Sequence, residues 1–285
     1  MNRKFFYEQY NKINWTNQEK NKINFDISEF IIQKIIAKKK GKALKVFDMG
    51  FGIGSFIKML SKALGPKYEE IIIEGCEPST KNYNFFINKQ AKRKQKAKVK
   101  VYNTTFLGAK TDKRFDFITA IYVFPHFLPD ELKKTAEKIS SMLEPEGRFI
   151  MAVASETRVK EKLKEREDLL IKRNTLNLFG KKYKQVLHYS EIKGIGTVVD
   201  HNRENRLYID LFKKQGLKLV MNKNIDKNGT TIFVFKNMEK ENMAAKKLKE
   251  DLIFAKRTEE AMKRYEKGEF IELSGKDFLK KLVKN

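Results

Sequence analysis

The stretch VFDMGFGIGSF places a carboxylate, Asp48, two positions before the first of three alternating glycines, Gly50, Gly52 and Gly54. Glycine permits a sharp strand-to-helix turn and lets backbone approach a ligand closely, with the free N–H groups of the helix end pointing at it. There Asp48 would repel a pyrophosphate and attract an ammonium group. A dinucleotide loop needs G-x-G-x-x-G, and with Gly50 and Gly52 as its first pair the third glycine falls at Ser55, which argues against NAD. Further along, His126 in IYVFPHF is a candidate base or orienting group. The segment HYSEIKGIGTVVDHNREN gathers His188, Tyr189, Asp200, His201 and Arg203. It reads as a loop-rich stretch of varied polar chemistry, or more plainly as a surface loop in which Asp200 or Asn202 caps the next helix. Tyr7, Tyr10 and Trp15 suit either an apolar lid or a helix docked on a sheet.

Composition bounds the elements that hold these residues. With 285 residues, 41% hydrophobic and 12% aromatic, the chain can bury a sizeable core. Its 61 basic and 36 acidic side chains give a net charge of +25. Most of the excess is lysine in a Lys-, Asn- and Ile-rich background, which an AT-rich genome writes onto solvated faces, so the charge alone points only weakly to nucleic acid. A single cysteine, Cys76, excludes an intramolecular disulfide, and three histidines are too few for a zinc ribbon; no metal site is expected. The start MNRKFFYEQYNK has no signal-peptide core and no stretch nears about 18 apolar residues, so a cytoplasmic chain without a membrane span is expected.

Residues 1–43 read as helical. From Leu44 the hydrophobic period changes: ALKVFDMG, EEIIIEGCEP, KVKVYNTT, RFDFITAIYVF and GRFIMAVAS alternate with helical patterns. Continuous apolar strands separated by helices predict an α/β fold with a doubly wound, mostly parallel sheet. LKLVMNKNI and TTIFVFKN, joined across Asp226, Lys227, Asn228 and Gly229, add a closing antiparallel hairpin, for seven strands over residues 44–237. The mixed-sign run TRVKEKLKEREDLLIKR predicts a helical insertion over 156–190, after the fifth strand. Residues 238–285 form a helical tail, the candidate contact for a homodimer.

DMGFGIG and this order of elements resemble the class I S-adenosylmethionine-dependent methyltransferases, whose loop reads D-x-G-x-G-x-G; the likeness covers residues 44–237. The resemblance implies S-adenosyl-L-methionine as cofactor, with Gly50, Phe51, Gly52 and Gly54 under its methionine part and Asp48 near its amino group. It implies an acid at the end of the second strand for the ribose hydroxyls: Glu77, followed by Pro78, or else Glu74. Thr105 and Phe106 would flank the adenine, without the acidic adenine contact many relatives carry. Ala120, Ile121 and Tyr122 would border the methionine, and His126 matches a histidine frequent in the family. LEPEGRFIM resembles the family's L-x-P-G-G-x entrance to strand five, with Glu146 in place of the first glycine.

Methyl transfer from a sulfonium is an in-line displacement, so the protein must mainly align the nucleophile and exclude water. The family's [DNS]-P-P-[YFW] loop for exocyclic nitrogens is absent, and Cys76 is misplaced for cytosine-C5 chemistry. A small-molecule acceptor with an O, N or C nucleophile is the first reading, with Tyr10, Trp15, His188, Tyr189, His201 and Arg203 as acceptor-side candidates. RNA held by the basic run 89–100, seven cations and no acid, is a second. A non-catalytic fold whose tail grips a protein partner is a third.

Overall fold

Val46 and Phe47 point to opposite faces of one strand and end in separate cores, and that alternation organises the fold. The computed structural model describes residues 22–38, 43–65, 67–90, 97–155, 171–192, 196–225 and 229–269. The chain forms two units, Met1–Met238 and Glu239–Asn285.

In the first unit the elements run α1 (Lys22–Lys38), β1 (Ala43–Met49), α2 (Ser55–Leu64), β2 (Glu70–Cys76), α3 (Thr80–Gln90), β3 (Lys98–Tyr102), β4 (Phe115–Ile121), α4 (Leu132–Met142) and β5 (Leu143–Ala154). After them come β6 (Ile171–Leu178), β7 (Lys181–Ile192), β8 (Gly196–Arg203), α5 (Asn205–Lys213), β9 (Leu217–Ile225) and β10 (Thr230–Asn237). Seven strands make the main sheet in the order β3-β2-β1-β4-β5-β10-β9. All neighbours are parallel except β10, which is antiparallel to both β5 and β9. The seven-stranded, mostly parallel sheet with its antiparallel close is the expected one.

Each strand feeds both faces. Val46, Phe117, Ile150 and Val234 join one core with Ile31 and Ile35 of α1 and Phe56, Ile57 and Leu60 of α2. Phe47, Ile118, Phe149 and Phe235 join the other with Ala136 and Ile139 of α4 and Leu211 and Phe212 of α5. The helices lie where they do because one stripe of each is apolar: α4 buries Leu132, Thr135, Ala136, Ile139 and Met142, at helical spacing. Burying each large apolar side chain contributes about 1.5–3 kcal/mol.

The insertion after β5 differs from expectation. From Ile171 it is not helical: β6, β7 and β8 form a separate three-stranded antiparallel sheet. Phe179 and Gly180, with φ of 53° and 73°, make a two-residue turn between β6 and β7, the positive-φ pair that hairpins favour. Tyr183, Gln185, Leu187, Val199, His201 and Arg203 are buried on one face, while Arg173, Thr175, Lys182 and Lys184 are exposed on the other. His188 and Tyr189 therefore lie in a strand, as do Asp200, His201 and Arg203, and not in a loop. Helix α5 begins after Glu204 with no side-chain cap, so neither Asp200 nor Asn202 caps it. Residues 156–170 of the expected insertion lie outside the described residues, as do Tyr7, Tyr10, Trp15 and residues 91–96 of the basic run 89–100.

The second unit carries α6 (Glu239–Glu266), with Leu252, Phe254 and Met262 exposed. No described helix is long and apolar enough to cross a membrane.

Candidate functional site

Strand β1 lies between β2 and β4, the point from which successive strands run outward in opposite directions. Open α/β sheets bind ligands in the crevice beyond the carboxyl ends of strands at such a point. Asp48, one residue from the end of β1, pairs with Gly75 of β2 and Thr119 of β4. Its carboxylate is 2% exposed and its Oδ1 accepts the Thr119 hydroxyl at 2.8 Å. Burial pushes it up to about 7, against the Thr119 bond and with help from the charge of Glu77.

Beyond β1 the chain turns through Gly50, Gly52 and Gly54, all with positive φ (60°, 56° and 78°). Two of these glycines serve different needs. A Cβ on Gly54 would lie 2.1 Å from Phe86 Cδ2, so this position is closed by the packing of α3. A Cβ on Gly52 would meet nothing within 4 Å, so the middle of the turn borders open space. Phe51 is buried against Phe86, at 5.0 Å between ring centroids.

Glu77 closes the site from β2. Its Oε2 accepts the Gly52 N–H at 2.9 Å and its Oε1 the Ser79 N–H at 2.9 Å, with Asn82 Nδ2 at 3.4 Å. It is 1% exposed, and burial pushes it up to about 7 in spite of those bonds. Glu74, within β2, faces different partners: its oxygens accept the Tyr102 hydroxyl and the Lys113 ammonium, each at 2.8 Å. Burial raises its carboxyl, but those bonds outweigh it and hold the group below its ordinary value. Pro78 is half-buried beside Glu77, and Asn103 Nδ2 donates to the Glu77 carbonyl at 2.9 Å. Cys76 is buried, its thiol pushed up to about 12 by burial, and so is no nucleophile.

Phe106 is buried against Phe47, 5.7 Å between centroids, and Thr105 Oγ1 accepts the Gly108 N–H. Lys138 of α4 donates to the carbonyls of Phe106, Leu107 and Ala109 at 2.7, 3.3 and 2.5 Å, which fixes the loop. At the end of β4, Ile121 is half-buried and Tyr122 takes a positive φ of 57°, its hydroxyl bonded to Thr230. Val123 follows, and its Cγ2 stands 2.8 Å from where a Gly50 Cβ would be, so this turn abuts the glycine turn.

His126 sits in the next turn, Phe124–His126, with its Nδ1 3.2 Å from the Val199 carbonyl and 3.5 Å from Asp200 Oδ1. His201 and Arg203, expected to face an acceptor, are buried in the fold. His201 Nδ1 is 3.2 Å from the Pro125 carbonyl, and burial holds the ring down to about 4, so it stays neutral. Arg203 donates to Gln185 Oε1 at 2.8 Å and to the carbonyls of Phe124 and Phe127 at 2.9 and 2.6 Å.

The structure thus brings Asp48, the glycines, Glu77, Val123 and His126 to one end of the sheet. Reading the sequence missed Thr119, Ser79, Asn82 and Val123. Their only signal is position: opposite Asp48, just after Glu77, or just after β4.

A family model described as a methyltransferase domain matches residues 25–222. Magnesium protoporphyrin IX methyltransferase from Synechocystis PCC 6803, solved with bound SAH, is 13% identical with a TM-score of 0.53; the match covers 79% of this chain and 88% of that one. N-methyltransferase NodS from Bradyrhizobium japonicum WM9 is 12% identical with a TM-score of 0.51, covering 78% and 99%. An S-adenosylmethionine-dependent methyltransferase from Clostridium acetobutylicum ATCC 824 is 16% identical with a TM-score of 0.50, covering 73% and 89%. At such identities the likeness is one of fold. No curated protein matches the chain by sequence.

Proposed function

Since the chain belongs to the class I S-adenosylmethionine-dependent methyltransferases, we propose that it transfers the methyl group of that cofactor to a small-molecule acceptor, with the crevice beyond β1 and β2 as the site. The cofactor supplies an activated methyl on a sulfonium. The chain's own residues bind, orient and keep water away. Asp48 receives the amino group of the methionine part, an ammonium that repays the burial of its carboxylate. The turn at Gly52 leaves room for the ligand against backbone, and Gly50, Phe51 and Gly54 complete its floor. Glu77, with Pro78 beside it, receives the ribose hydroxyls while its oxygens hold the turn; a carboxylate has lone pairs for both tasks. Thr105 and Phe106 flank the adenine, and Ile121 and Tyr122 border the methionine.

The observation that carries this reading is the pair of buried carboxylates, Asp48 and Glu77, around a turn whose middle glycine borders open space. Of the similar structures, one is by its name a magnesium protoporphyrin IX methyltransferase, which acts on a small molecule, and another an N-methyltransferase. The test is incubation of the full chain with methyl-labelled S-adenosylmethionine and a size-fractionated cell extract. Label in metabolites supports the proposal, and label in RNA would favour the basic run 89–100 instead.

A further inference from the structure

We propose that the chain selects the base of its cofactor by shape and not by its amino group, so that a 6-oxopurine nucleoside fits as well as adenosine does. Lys138 is the residue that sets this, by positioning the loop after β3. This rests on the crevice being the cofactor site with Thr105 and Phe106 beside the base, and deepens that reading by naming the bases it takes.

The loop leaves β3 as a tight turn fixed from two directions. Asn103 ties its start to the end of β2, its Nδ2 donating to the Glu77 carbonyl at 2.9 Å and its Oδ1 accepting the Thr80 hydroxyl at 3.0 Å. From α4, the Lys138 ammonium gives its donors to the carbonyls of Phe106, Leu107 and Ala109 and stands 5.0 Å from the centroid of the Phe106 ring. An ammonium has three donors, and three carbonyls take them. Among the described residues no carboxylate pairs with this half-buried cation, so the carbonyls of the loop are what holds it.

The bonds that fix the loop also use up its acceptors. The Thr105 carbonyl accepts the N–H groups of Gly108 and Ala109, each at 3.0 Å. The Phe106 carbonyl accepts Lys138 at 2.7 Å and shares the Ala109 N–H at 3.3 Å. A carbonyl oxygen has two lone pairs, so neither residue beside the base keeps one for the N–H donors of an amino group. The segment NTTFLGA, residues 103–109, carries no acid to take their place. The acids of the neighbouring strand end are bonded elsewhere, Glu77 to the glycine turn and Glu74 to Tyr102 and Lys113. There remains the Thr105 hydroxyl, whose Oγ1 accepts the Gly108 N–H at 3.3 Å. A hydroxyl donates as readily as it accepts, so it serves a 6-oxo and a 6-amino group alike.

The test is calorimetry on the full chain with S-adenosylhomocysteine, its 6-oxo counterpart S-inosylhomocysteine, and S-ribosylhomocysteine, which has no base. In the parent chain the two nucleosides should bind within about tenfold of each other, whereas a site that bonds the amine would separate them by about 10⁴-fold. Lys138→Met keeps the apolar stem and removes the three bonds, so the loop must be ordered at the moment of binding. Both nucleosides should then weaken by about tenfold or more and S-ribosylhomocysteine by less than about twofold, a split that a general loss of structure would not produce. Lys138→Arg, which keeps a cation and its donors, should recover part of the loss. A parent chain that prefers the adenosine ligand by more than about tenfold overturns the inference while leaving the cofactor site standing, and that comparison stands even if Lys138→Met unfolds. Equal weakening of all three ligands in Lys138→Met, or undiminished nucleoside binding, overturns the part given to Lys138. Failure of both nucleosides to bind the parent removes the cofactor reading and this one with it.

Discussion

The Glu77 carboxylate accepts the Gly52 N–H at 2.9 Å, which ties the end of β2 to the middle of the glycine turn. The residue proposed to receive the ribose thus also shapes the floor beneath the methionine. Glu77→Gln keeps an acceptor for one of Gly52 and Ser79 but turns an amide NH2 toward the other. The loss should be about 1–3 kcal/mol of stability, the usual cost of a buried polar group left unpaired. It should be visible by thermal unfolding and accompanied by weaker S-adenosylhomocysteine binding in calorimetry.

Gly52 and Gly54 should fail differently when replaced by alanine. Both have positive φ, which costs about 1–2 kcal/mol for a residue with a Cβ. At Gly54 the new methyl also collides with Phe86, so Gly54→Ala should lose several kcal/mol and unfold early. At Gly52 the methyl enters open space, so the fold should survive with only the backbone cost while ligand affinity falls. Paired melting curves and titrations separate the two.

The pH dependence should run in opposite directions for stability and binding. Burial pushes Asp48 and Glu77 up to about 7, so between about pH 4 and 7 the folded chain holds protons that the unfolded chain has released. Their contribution to stability is therefore full below the unfolded carboxylate range and is lost as pH rises through about 7. An ammonium ligand wants Asp48 ionised, so S-adenosylhomocysteine affinity should weaken about tenfold per unit below pH 7. Asp48→Asn should flatten that slope; calorimetry at pH 6, 7 and 8 reads it.

Much of the site is legible in the sequence because its residue types are forced by backbone geometry. The alternating glycines are such a case, since their positive φ disfavours any residue with a Cβ, and Asp48 is found by its fixed spacing from them. The apolar strands reveal the main sheet because both its faces are covered. The three-stranded insert was hidden for the converse reason. Its inward face carries Gln185, His201 and Arg203 among Tyr183, Leu187 and Val199, so period-two burial is written in polar letters. Only Phe179-Gly180 signalled the hairpin. His201 and Arg203 looked like acceptor-side residues because buried polar chemistry and functional polar chemistry use the same side chains; only the bonds to Phe124, Pro125 and Phe127 distinguish them.

Glu146 occupies a left-handed position, φ 71°, where the resemblance suggested glycine. Its ion pair with Lys236, 2.7 Å long, is partly exposed and contributes little. Glu146→Gly should therefore be neutral or stabilising by up to about 1 kcal/mol, as glycine removes the steric cost of the positive φ while the extra freedom it gives the unfolded chain offsets part of that gain. Chemical denaturation measures the difference.

The central claim is that the crevice beyond β1 and β2 holds S-adenosylmethionine through Asp48, Gly52 and Glu77. Calorimetric titration of S-adenosylhomocysteine into the full chain and into Gly52→Val tests it most directly. The account predicts one site per chain in the parent and none in a Gly52→Val variant that still melts cooperatively. No heat of binding in the parent, or equal affinity in the variant, would contradict it.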